Sequence, residues 1–172
     1  AIGNDFVLVA EPDLPPDLNL EDLAVDMCER RTGIGSDGLL VLAPGKLRMF
    51  NPDGTEDFCG NGLRCAIAEA HRRGWASLTG AIHHLDRFVA YEVLGEDCIR
   101  TEFAPASFAP ADVPTLAIEE LFQTEIEIVP GQFLRVSTLS TGSAHTVIFM
   151  DELPDDPEFF GLSPVIENHP LF

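Results

Sequence analysis

Apolar positions along the chain recur with two periods, and the switches between them outline a mixed α/β protein. Asp5 to Ala10 is apolar and β-prone, which predicts a strand. Leu20, Leu23, Ala24, Met27 and Cys28 then recur at helical spacing. They predict a helix from about Leu20 to Arg31, capped by Asn19, with Asp22 in its third position and Cys28 in the core. Leu39–Ala43 and Leu47–Phe50 predict two strands around Pro44-Gly45, followed by a loop from Asn51 to Phe58. A second helical face is formed by Leu63, Ala66, Ile67 and Ala70, and Gly74 after Arg72-Arg73 is its stop signal. Ser77–Thr79, Phe88–Leu94 and Cys98–Phe103 predict further strands, the last two joined at Gly95-Glu96-Asp97, with Cys98 in a structural role. His83 and His84 fall in what reads as a solvated hairpin tip.

Pro105, Pro110 and Pro114 punctuate Ala104–Thr115, which reads as a linker. The boundaries are then a first domain over 1–104, a linker over 105–116 and a second unit over 117–172. In that unit Thr124–Val129, Phe133–Thr138 and His145–Met150 predict strands. The stretch from about Asp156 to Asn168 is helical in pattern but interrupted by Gly161 and Pro164. Three strands and a weak helix are too few for an independent core.

Composition narrows the class. The 172 residues are 45% hydrophobic, enough to bury a core. A net charge of −19 argues against nucleic acid or an anionic membrane as partner, and any anionic substrate must be captured by local donors. No run has the length of a membrane span and no signal-peptide pattern is visible, while Ala1-Ile2-Gly3 reads as the middle of a longer sequence. Cys28, Cys59, Cys65 and Cys98 have no paired metal spacing, so no metal is expected and the thiols read as reduced and cytoplasmic.

The candidate chemistry centres on Cys59-Gly60-Asn61-Gly62-Leu63, where a thiol directly precedes a helix. Free N–H groups and the positive dipole end at such a start stabilise a thiolate and attract a carboxylate, and two glycines allow a ligand close to the backbone. The plain alternative is a structural cysteine ahead of an ordinary helix. Cys65, on a different turn of that helix, reads as packing.

Five motifs surround this one: Gly3-Asn4-Asp5-Phe6, Gly33-Ile34-Gly35-Ser36-Asp37-Gly38-Leu39-Leu40, Phe50-Asn51-Pro52-Asp53-Gly54-Thr55-Glu56, Gly142-Ser143-Ala144-His145 and Glu167-Asn168-His169-Pro170. In this order and at these intervals the chain resembles the diaminopimelate epimerase family of cofactor-independent amino-acid epimerases. The resemblance implies an α+β fold of two similar α/β lobes, with the second incomplete here. It implies conversion of LL-diaminopimelate to the meso form, a step toward lysine and cell-wall precursors, by two cysteines and with no cofactor. Inverting an α-carbon requires a base on one face and an acid on the other, and a thiol of pKa roughly 8.5 can be tuned to either task.

Residue by residue, Cys59 matches the family's first-lobe cysteine. Gly60 and Asn61 match the helix-start residues that receive the α-carboxylate, and Asn4 and Asn51 match substrate-contacting asparagines. His145 matches the histidine of a Gly-Asn-Pro-His motif near the reacting carbon, and is otherwise a structural residue at a strand start. The second-lobe cysteine, in a Cys-Gly-Thr-Gly motif after a Glu-Arg pair, has no counterpart among these residues. Ser143 stands where the family has a distal substrate-binding asparagine, the loop before Cys59 is one residue shorter, Thr101-Glu102-Phe103-Ala104 lacks the Met-Gly, and Thr79–Leu85 lacks the Thr-x-x-Gly. These departures leave open a racemase of another amino acid, such as histidine or proline, or a non-catalytic fragment for amino-acid binding or assembly. The chain is expected to be an N-terminal portion, inactive alone, whose partner is the remaining C-terminal portion or a second copy in a homodimer.

Overall fold

A computed structural model describes residues 3–96 and 98–172; Ala1, Ile2 and Asp97, including their places in the opening Ala1-Ile2-Gly3 and the Gly95-Glu96-Asp97 turn, lie outside the described residues. The chain forms two compact units, Ala1–Glu102 and Phe103–Phe172, and is α+β as the resemblance implies.

The first unit is a six-stranded mixed sheet. Its strands are β1 (Val7–Ala10), β2 (Leu39–Ala43), β3 (Lys46–Phe50), β4 (Thr79–His84), β5 (Arg87–Gly95) and β6 (Cys98–Thr101), adjacent in that order. Parallel neighbours need a crossover, and the unit has two. Helix α1 (Leu20–Cys28) lies between parallel β1 and β2, and helix α2 (Gly60–Arg72) between parallel β3 and β4. The two helices cover opposite faces. Leu39 and Val41 of β2 pack with Ala24 and Cys28 of α1, whereas Leu40 and Leu42 pack with Leu63, Ala66, Ile67 and Ala70 of α2. Strict alternation thus sends successive β2 residues to different cores, which is why Leu39-Leu40-Val41-Leu42 is apolar throughout.

Several boundaries differ from the sequence reading. Asn19 caps α1 as expected, its side chain accepting from the N–H groups of Glu21 and Asp22, but the helix stops at Cys28 rather than Arg31. There the chain folds back: Gly33 N–H donates to Glu29 O, and Ile34 and Gly35 N–H donate to Met27 O. Strand β4 replaces the short Ser77–Thr79 strand and the hairpin tip, pairing with β5 from Thr79 to His84. Cys28 is buried as predicted; Cys65 is half-buried and packs on the α2 core; Cys98 is exposed at the start of β6, not a core residue.

The second unit holds an antiparallel sheet of β7 (Thr124–Val129), β8 (Gln132–Ser140) and β9 (Ala144–Ile148), with helix α3 (Asp156–Glu167). Its core of Ile126, Ile128 and Val136 is covered by Leu162, Val165 and Ile166 of α3 together with Leu171 and Phe172. Helix α3 is continuous, against the predicted interruption at Gly161 and Pro164. Asp155 caps it, Asn168 Nδ2 donates to Pro164 O, and packing on the sheet offsets the proline. In the proline-rich stretch Val113 is buried, and Ser107 pairs with Ser140 of β8. No helix among the described residues is long and apolar enough to cross a membrane.

Candidate active site

The thiol of Cys59 is placed by the loop that leaves β3. Asn51 N–H donates to Thr55 O and Gly54 N–H to Asn51 O, closing a tight turn in which Gly54 has φ +84°. Asp53 tightens it by accepting from the Thr55 N–H at 2.9 Å and hydroxyl at 2.6 Å, and these bonds hold its carboxyl below the usual range. Asn51 Nδ2 donates to Thr55 Oγ1, so this candidate substrate ligand supports its own loop. The loop delivers Cys59 in extended conformation (φ −133°, ψ 106°) as the N-cap of α2, and its Sγ accepts from Gly62 N–H at 3.3 Å. The sulfur therefore does what a Ser or Asp oxygen does at an ordinary N-cap. The N–H groups of Gly60 and Asn61 open the helix without intrahelical acceptors. Gly62 is needed for close approach, because a Cβ there would lie 2.8 Å from Leu40 Cδ2.

His84 belongs to this site and corrects the reading of a solvated residue. It ends β4 and is fully buried. Its Nε2 accepts the Cys59 N–H at 3.1 Å, its Nδ1 lies 3.2 Å from Leu47 O, and its ring stacks on Phe58 at 5.1 Å. Burial lowers its pKa against the raising effects of the Leu47 carbonyl, Glu56 and Asp57. Its neighbour His83 is half-buried and edge-on to Phe88.

Asn4, Asn61 and a residue absent from the motif reading, Arg64, form one network. Asn61 Nδ2 donates to Asn4 Oδ1 at 2.6 Å, and the Arg64 guanidinium donates to Asn61 Oδ1. Asn4 Nδ2 in turn donates to Asp37 Oδ2 at 2.9 Å. Arg30 forks onto Asp5 (3.1 and 2.9 Å) and reaches Asp37 at 2.7 Å. Asp5 is held below the usual carboxylate range chiefly by Arg30, and Asp37 chiefly by Asn4. Sequence motifs 3–6, 33–40 and 59–63 are thus tied together by side chains at the N-terminal end of α2. The ion pairs are exposed and order the loops more than they stabilise the fold.

Of the predicted site residues, Asn4, Asn51, Cys59, Gly60 and Asn61 lie in the first unit, with Asn4 and Asn61 in direct contact. Ser143 and His145 lie in the second, in the β8–β9 hairpin, where Ser143 Oγ and His145 Nε2 are 3.1 Å apart. His145 is exposed at the start of β9, opposite Leu139. Among the described residues no three His, Cys, Asp or Glu side chains converge as a metal site.

No family model matches the chain. Individual relatives do. It is 36% identical over 181 residues to the diaminopimelate epimerase of Carboxydothermus hydrogenoformans, and 32% identical over 190 residues to that of Acaryochloris marina. It is 33% identical over 193 residues to that of Synechocystis sp.. These matches cover 99% of the chain but only 64–65% of each relative, so the chain spans just under two thirds of their length. Along that length the chain is similar to the diaminopimelate epimerases, in line with the resemblance of its motifs.

Proposed function

We propose that this chain supplies the first-cysteine lobe of a cofactor-independent amino-acid epimerase that converts LL-diaminopimelate to meso-diaminopimelate. The observation that carries the reading is Cys59 as N-cap of α2, beside the unshared N–H groups of Gly60 and Asn61. A substrate α-carboxylate received by those donors presents its α-carbon to the sulfur. The thiolate takes the α-proton, the electron pair left on carbon is stabilised by the helix-start dipoles acting through the carboxylate, and a second acid delivers a proton to the opposite face. Asn4 and Asn51 border the substrate, and His145 and Ser143 take the roles that their match to the family's motif implies.

Cys59 alone among the cysteines here caps a helix. Cys28 is buried, Cys98 lies at the start of β6, and Cys65 lines a groove of about 820 Å³ with Leu8, Ala68, Leu78 and Val93. We assign the opposing acid to the rest of the second lobe, carried by further sequence or by a second chain, and expect the 172 residues alone to be inactive. Pyridoxal chemistry would need a lysine, and the single one, Lys46, opens β3. Ser143, whose hydroxyl is engaged with His145, favours a second reading: racemisation of another amino acid such as histidine or proline.

The test is α-deuterium uptake from heavy water, followed by proton NMR with LL-diaminopimelate, histidine and proline as substrates. The protein encoded by the complete reading frame is expected to exchange the α-proton of diaminopimelate. Cys59→Ser should lower the rate about 10²–10⁴-fold. Turnover by Cys59→Ser at the native rate, or by the 172-residue chain alone, would overturn the assignment.

A further inference from the structure

The buried imidazole of His84 sits between two backbone groups that admit a single state of the ring. The Leu47 carbonyl can only accept, so Nδ1 carries the proton; the Cys59 amide can only donate, so Nε2 is a bare lone pair. The network therefore assigns the neutral Nδ1–H tautomer. Ring and backbone are further fixed by Phe58, the residue directly before Cys59, which stacks on the imidazole with planes 27° apart. The imidazole thus ties the carbonyl of β3 to the one peptide N–H that immediately precedes the thiol. From that same residue Sγ accepts from Gly62 N–H. Two contacts, one on the backbone and one on the sulfur, define where the thiol stands.

We propose that His84 is the positioning residue of the Cys59 thiol: by accepting the Cys59 amide hydrogen it fixes the backbone from which the sulfur caps α2. It also makes that geometry depend on its own charge. A protonated ring has donors on both nitrogens, so Nε2–H would face the Cys59 N–H and the bond would be lost. The charged groups around the ring are Glu56 and Asp57 on the loop before α2, which favour its protonation, and Arg87 on β5, which opposes it. His84 acts through the backbone of Cys59 rather than on a substrate. The proposal rests on the function above only in treating the thiol as the reactive group.

Nitrogen-15 NMR of the 172-residue chain tests this whether or not any amino acid is epimerised. In the wild type, Nδ1 is expected to show the protonated shift and Nε2 the bare shift at neutral pH. On acidification the Cys59 amide, and the Gly62 amide that donates to its sulfur, should move in step with the His84 ring. His84→Gln, whose side-chain oxygen can accept from Cys59 while its amide donates to Leu47, should keep both resonances near their neutral-pH positions and abolish the titration. His84→Leu fills the space without an acceptor, and should speed hydrogen exchange at Cys59 about tenfold. The opposite tautomer, a Gly62 amide silent while His84 titrates, or Cys59 exchange in His84→Leu within about twofold of wild type would overturn the proposal. If His84→Leu does not fold, the wild-type titration and His84→Gln decide. Loss of epimerase activity with these NMR results intact would count against the proposed function, not against this positioning.

Discussion

Replacing Gly62 by alanine sets two effects of known size against each other. Alanine is favoured over glycine by about 0.8–1.0 kcal/mol in a helix interior, which is an upper bound for Gly62 in the first turn of α2. The added methyl, however, would lie 2.8 Å from Leu40 Cδ2 and 3.5 Å from both Cβ and Sγ of Cys59. Leu40 is fully buried among Leu42, Leu63 and Ala66, so its side chain has no room to yield. Overpacking of that kind costs about 1–3 kcal/mol. The balance is a destabilisation of about 1 kcal/mol. For an m-value near 2 kcal/mol/M this lowers the urea midpoint by about 0.5 M. Trp75, the single tryptophan, lies just beyond α2 and packs on its core, so its fluorescence reports this unit. Gly161→Ala is the control. It is also helical, but an added Cβ there meets nothing within 4 Å, so the propensity gain of about 0.8–1.0 kcal/mol should appear as slower amide exchange in α3. A midpoint for Gly62→Ala equal to or above wild type would refute the argument, because the close approach of α2 to β2 would then not be the reason for the glycine.

Three further outcomes follow from the same geometry. Gly33→Ala should cost more than about 2 kcal/mol in urea melts, because its Cβ would meet the carbonyl oxygens of Asp26, Glu29 and Met27 at 2.1–2.9 Å; a smaller loss would mean that the turn after α1 relaxes freely. Asn19→Ala should cost about 1 kcal/mol by freeing the N–H groups of Glu21 and Asp22, and Asn19→Asp should restore it in the same assay. Burial holds the His84 pKa below its ordinary 6.5, so below about pH 6.5 the unfolded state binds more protons than the folded one. Stability should therefore fall as pH drops from 6.5 toward the lowered folded value, by at most about 1.4 kcal/mol per pH unit, and His84→Gln should flatten that part of a pH series of urea midpoints. An equal slope in both proteins would remove His84 as the cause.

The parts of the molecule legible in the sequence are those whose causes lie within a few residues. The helix start at Leu20 follows from Asn19 capping the next turn, and the α2 face follows from apolar spacing between Leu63 and Ala70. The placement of Cys59 at a helix start is local as well, set by its own thiol and by Gly62 three residues on. Tertiary structure decided the rest. Helix α1 ends at Cys28 because the turn through Gly33 returns to its carbonyls, and because Arg30 is drawn to Asp5 and Asp37. Helix α3 survives Gly161 and Pro164 because its apolar residues have a sheet to pack on. Strand β4 has little strand signal in Thr79-Gly80-Ala81-Ile82-His83-His84 and exists through its ladders to β3 and β5. The inference most affected is the one about His84. From the sequence it is one of two polar residues near a turn, yet the partners that bury and orient it, Leu47 and Cys59, stand 37 and 25 residues away. A parallel crossover brings the end of β4 to the start of α2, and a contact made by chain return across that distance leaves no local pattern to read.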